Sequence, residues 1–172
     1  MSTKERLALL HQLIKALAQN GSWCGETHIQ KAAYFVQNLA KLSAYKFVLY
    51  KFGPFSFDLR DDLELMRSYG MIDRLTDVPG YGPRLQLRDL PKTDEDAQKL
   101  TAPHQEVIRQ VAALLGAAGV AELERLATAL YFTRQEPVED HRDRVQRIRS
   151  VKPHILEPDA LEAVEQVEAL FS

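Results

Sequence analysis

The chain has little of what marks several functional classes. It holds one cysteine, Cys24, in 172 residues, so it forms no intrachain disulfide and offers no cysteine-based zinc site. Eight glycines and eight prolines are too few for a collagen-like or linker-like chain, and neither a repeat nor a low-complexity segment occurs. No run of 18 apolar residues exists, which excludes a helical membrane span. The opening residues MSTKERLALLHQL lack the apolar stretch and cleavage site of a secretory signal, so a cytoplasmic location is the expectation. Charge of one sign is also missing. Lys plus Arg is 22 and Asp plus Glu is 24, a net of −2, which excludes binding to nucleic acid by bulk charge alone.

What is present is an ordinary globular balance of 45% apolar and 27% charged residues. A chain of this length suits one domain, 1–172, burying roughly 70% of its unfolded surface without a metal or disulfide. Ser2 and Glu5 form a capping box before Leu7, Leu10, Ile14 and Leu17, which predicts a helix over 3–19 ended by Asn20-Gly21. A second helix starts near residues 25–27 and carries Ile29, Ala32, Val36 and Leu39 on one face. Residues 45–50 are aromatic and β-branched and predict a strand, which Gly53-Pro54 breaks. Ser56 caps a third helix, 56–70, with Gly70 beyond its end. Residues 71–76 and 84–88 predict a hairpin with a seven-residue tip, Leu85 and Leu87 facing one way and Arg84, Gln86 and Arg88 the other. Residues 89–102, with Pro91, read as a connector, and the rest as helices.

This order of helix, helix, strand, helix, hairpin is that of a winged helix. The expected fold is α+β, mostly α: a winged-helix-like part over 1–90 with a small β-hairpin, and a helical extension over 103–172.

Two stretches resemble a prokaryotic family. One is His28-Ile29-Gln30-Lys31-Ala32-Ala33-Tyr34-Phe35 with Phe47-Val48-Leu49-Tyr50-Lys51-Phe52-Gly53-Pro54-Phe55-Ser56 and Leu59. The other runs from Leu123-Glu124 through Ala127-Thr128 to Tyr131-Phe132, followed by Val151-Lys152-Pro153-His154. Both are similar to the YwgA-like proteins, and the first is similar, more loosely, to the Panacea domain of SocA-like antitoxins. Phe52 and Phe55 stand where that pattern usually has tyrosine, and His28 replaces a basic residue. The resemblance implies an intracellular prokaryotic protein with no established chemistry, and the Panacea likeness implies an antitoxin that neutralises a toxin by protein contact.

The residues themselves leave alternatives open. Gly53, Pro54 and Ser56 have a sufficient role as a structural turn. Phe52, Phe55 and Phe57 cannot all point inward across so tight a turn, so at least one is a candidate partner anchor. The third helix carries Asp58, Asp61, Asp62 and Glu64 against Arg60 over 56–64, a net of −3, which opposes entry into a DNA groove and suits a basic partner. Arg74, Arg84 and Arg88 are the residues a nucleic acid would meet if they share one face of the hairpin, though three scattered surface arginines are equally ordinary. The stretch 141–154 holds five cations against Asp143, a net of +4, which the acidic last helix can offset. Cys24 and His28 lack a third partner, and the five histidines show no metal-ligand spacing. The expectation is a non-enzymatic protein-interaction module, antitoxin-like or defence-associated, with no cofactor and no metal. Its partner is a protein, such as a toxin encoded nearby, with weak nucleic-acid contact at most and no membrane. The alternative is a winged-helix transcriptional regulator.

Overall fold

In a computed structural model covering residues 1–172, the elements in chain order are α1 (Thr3–Gln19), α2 (Glu26–Leu39), β1 (Val48–Tyr50), β2 (Gly53–Phe55), α3 (Phe57–Ser68), β3 (Ile72–Leu75), β4 (Arg84–Leu87), α4 (Pro91–Leu100), α5 (Gln105–Leu115), α6 (Val120–Leu130), α7 (His141–Val151) and α8 (Glu157–Phe171). A single 3₁₀ turn, Ala102–His104, precedes α5, and a π turn, Tyr131–Gln135, extends α6. The fold is α+β and mostly α. No helix is long and apolar enough to cross a membrane.

The chain divides into two compact units. The first comprises residues 1–47 and 56–118, the second 48–55 and 119–172. In the first unit α4 packs on α1, and α5 packs on α1 and α2.

In the first unit, α1 begins with the expected capping box: Ser2 Oγ accepts from Glu5 N and the Glu5 carboxylate accepts from Ser2 N. Leu10, Leu13 and Leu17 on α1, Ile29 and Ala32 on α2, and Val111 and Leu115 on α5 are fully buried. At about 25 cal/mol per Å² of apolar surface, this core is what holds the helices together. Gly116 is needed at a close approach, since a Cβ there would lie 2.4 Å from the Asn20 side chain. The supposed connector is a helix. Pro91 occupies its first turn, where its missing N–H costs nothing, and Ala97 is its one buried residue. α4 is therefore held largely by polar contacts. The Asp94 carboxylate accepts from Lys15 Nζ at 2.7 Å and Gln12 Nε2 at 2.9 Å.

β3 and β4 form the predicted antiparallel hairpin, with Ile72 opposite Leu87 and Leu75 opposite Arg84. Gly53-Pro54 does not end the preceding strand region. It begins β2, which pairs antiparallel with β1, Val48 opposite Phe55 and Tyr50 opposite Gly53. The two hairpins share no strand, so the winged-helix likeness rests on element order alone. In the second unit β2 packs on α6, and α6, α7 and α8 pack on one another around Leu126, Leu130, Ile148, Val164 and Val167.

Candidate functional site

The β1–β2 hairpin of the second unit turns through Lys51 and Phe52. Gly53 follows at φ +93°, a conformation that a residue with a Cβ rarely adopts. Gly53 and Pro54 are buried, Phe55 is half-buried with its ring 5.6 Å from Tyr50, and Phe52 at the tip is 53% exposed. Lys152, at the C-terminal end of α7, reaches this turn. Its ammonium donates to Tyr50 O at 3.0 Å and to Lys51 O. Glu124 Oε1 on α6 lies 3.2 Å from the same nitrogen in ion-pair contact, outside hydrogen-bond geometry. The other oxygen, Oε2, meets His154 Nε2 at 3.0 Å. The Lys152 and Glu124 side chains are 8% and 9% exposed, so the pair is buried. One turn along α6 from Glu124, the hydroxyl of Thr128 is buried with no hydrogen-bond partner. Glu124 and Thr128 from one helix, Lys152 and His154 from one turn, and the Tyr50–Phe55 hairpin thus meet here. No single segment displays this cluster, because its members come from three separate stretches, residues 50–55, 124–128 and 152–154.

In the first unit, Ser56 caps α3, its hydroxyl accepting from Leu59 N. Gln30 holds the same residue by both backbone groups: Gln30 Oε1 accepts from Ser56 N at 2.9 Å and Nε2 donates to Ser56 O at 2.8 Å. A glutamine in a helical stripe carries no sequence signal for that role. Asp62 is not a steering charge. It is buried, accepting from Arg6 Nε at 2.8 Å and Tyr45 O–H at 2.7 Å. A hydrogen bond to Asp62 raises the guanidinium pKa of Arg6, and burial, then Asp62, raises the phenol of Tyr45. The acidic face of α3 therefore reduces to Asp58, Asp61 and Glu64, and Glu64 pairs with Arg67 at 3.2 Å. Phe57 is 50% exposed, with the Arg60 guanidinium 5.6 Å from its ring centroid. The six residues expected to form one partner surface fall in both units: Phe52 and Phe55 in the second, Phe57, Asp58, Asp61 and Asp62 in the first.

The hairpin arginines do not share a face. Strand register places Arg74 opposite Leu85, on the side of Ile72 and Leu87, while Arg84 and Arg88 alternate onto the other side. Arg84 is bound by both oxygens of Asp77 and Arg88 by Asp73. Those hydrogen bonds lower both carboxyl pKa values. Two of the three cations are thus already paired. The hairpin tip is fixed by Trp23, whose Nε1 donates to Gly82 O at 3.2 Å and whose ring lies 5.1 Å from Tyr81.

The chain matches no family model and no curated protein.

The remaining candidates resolve structurally. The basic stretch on α7 is answered by α8: Arg144 pairs with Glu168 and Arg149 with Glu157 at 3.0 Å. Arg147 lies over the ring of Phe132. Cys24 is buried at φ +56°, and burial raises its thiol pKa. His28 is turned elsewhere. Its Nε2 donates to Leu115 O at 2.6 Å, which leaves Nδ1 to accept from the Ser22 hydroxyl at 2.9 Å. Burial lowers the His28 pKa, so the ring is neutral. A protonated thiol and a neutral imidazole engaged on both sides make no nucleophile–base pair.

Proposed function

We propose that the protein works in the cytoplasm by contact with another protein, as an antitoxin-like or defence-associated accessory, and not as an enzyme. The observation that carries this reading is Phe52. A large aromatic side chain stands 53% exposed at the tip of a turn whose next two residues are buried. An exposed aromatic at a turn tip is the kind of group that anchors protein interfaces. Phe57, beside Asp58 and Asp61 on α3, supplies a second aromatic with acidic neighbours, which favours a basic partner. The looser resemblance of the stretch that includes Tyr50–Ser56 to the Panacea domain supports the same class of activity.

The rival reading is a DNA-binding regulator, favoured by the winged-helix element order. Against it stand the acids of α3 and the paired state of Arg84 and Arg88. Duplex binding is expected no tighter than about 10⁻⁴–10⁻⁶ M at physiological salt.

The test is co-purification with the product of the adjacent, co-directional gene, then calorimetry. Phe52→Ala should weaken binding by about 2 kcal/mol or more, with an unchanged circular dichroism spectrum. Normal binding by Phe52→Ala removes the anchor. Nanomolar, sequence-selective retention of duplex DNA promotes the regulator.

A further inference from the structure

We propose that Lys152 is a positioning residue that latches the Tyr50–Gly53 turn in the conformation presenting Phe52. Its place at a contact surface rests on the function proposed above; the latch itself does not.

Two successive carbonyls, Tyr50 O and Lys51 O, accept from one ammonium. A three-residue strand on each side is too short to hold a turn by itself, since isolated two-stranded hairpins are marginal in water. The carbonyls of a free turn are solvated and move with it. Here a nearly buried cation takes them instead, and its charge is balanced by Glu124, itself oriented by His154. An ammonium carries donors and no acceptor, so it serves the two carbonyls by hydrogen bonds while its charge faces the Glu124 carboxylate, a combination no neutral side chain offers. Glu124 and Lys152 come from α6 and the end of α7, the framework of the second unit, so the turn is tied to helices rather than to its own strands. No group of three or more candidate ligands converges on a metal site. The geometry around Lys152 is that of a clamp on a backbone segment.

The experiment separates positioning from mere stability. Replacing a buried ion pair by apolar side chains is often close to neutral for stability, whereas removing one partner is not. The double variant Lys152→Met/Glu124→Leu should therefore stay folded with its latch gone. Amide order parameters of Lys51, Phe52 and Gly53 should fall from about 0.85 to below about 0.6, while those of α6 and α8 are unchanged. Unchanged values at the turn in the folded variant overturn the proposal, as does an equal loss in α6 and α8. If the double variant does not fold, the wild-type protein decides. The ¹⁵N-labelled Lys152 ammonium should give a signal protected from water exchange, with Overhauser contacts to the Tyr50 and Lys51 α-protons. Exchange at the rate of surface lysines overturns the latch. Partner binding by Phe52→Ala is read separately, so failure of the contact reading leaves this result standing, and the reverse.

Discussion

The two hairpins are built alike and held differently. Each is a two-stranded antiparallel pair, below the size that stands alone. The β1–β2 turn is tied from beneath by a buried lysine whose counter-charge is also buried. The β3–β4 hairpin is tied at its tip by the Trp23 indole, and its charged pairs, Arg84–Asp77 and Arg88–Asp73, lie at the surface. The same chemistry, a cation against a carboxylate, thus has opposite weight in the two places. In water the pair is screened and its removal is cheap. Out of water each member depends on the other, because a charge left alone has no solvent to turn to.

The sharpest way to break that contrast is Lys152→Ala. It leaves the buried Glu124 carboxylate without its cation, with the His154 imidazole as its remaining partner, and should cost about 3–5 kcal/mol, read as the shift of the urea midpoint. Survival of the wild-type midpoint means that Glu124 finds solvent and that the pair is not buried in solution.

Gly53→Val probes the same turn through its backbone. At φ +93° a β-branched residue is strained, and a loss of about 1–3 kcal/mol is expected in the same measurement. Val at Gly82, in the other hairpin tip, should have a smaller effect, because a Cβ there meets nothing within 4 Å.

Acid should act on the first unit through its buried imidazoles. Burial lowers the pKa of His28 and His11 in the folded protein. The unfolded chain then binds the proton first, from about pH 6.5 downward. Stability should be constant above that value, fall as pH drops through it, and level off below the folded-state values. His28→Gln should flatten the slope, with His11 supplying the remainder, in urea midpoints measured from pH 8 to 5. An unchanged slope in the variant means that His28 is solvated.

The smallest effect is expected from Arg84→Gln and Arg88→Gln. Both pairs are exposed and screened by salt, so the midpoint should not move measurably in either 0.1 or 1 M NaCl. A clear loss would make the β3–β4 surface pairs as important as the buried one and erase the contrast.

Local chemistry determined a large part of this protein from sequence alone. Caps and left-handed positions are decided within a few residues, so α1 with its capping box, Ser56 as the cap of α3, and Gly70 at φ +71° follow from the chain itself. Alternation likewise sufficed to place Leu85 and Leu87 apart from Arg84 and Arg88. The helix at 91–100 escaped because it buries one residue, Ala97, and an amphipathic signal needs a buried stripe. Asp62 looks like a surface charge in the sequence because Arg6 and Tyr45, its hydrogen-bond partners, come from distant parts of the chain. The split of the six expected contact residues between two units, and the meeting of Glu124, Lys152 and His154 at the Tyr50 turn, were decided only by tertiary structure. Sequence patterns report the face a residue occupies on its own element. Which charge will be stripped of water, and which partner will answer it, depends on what packs against that face.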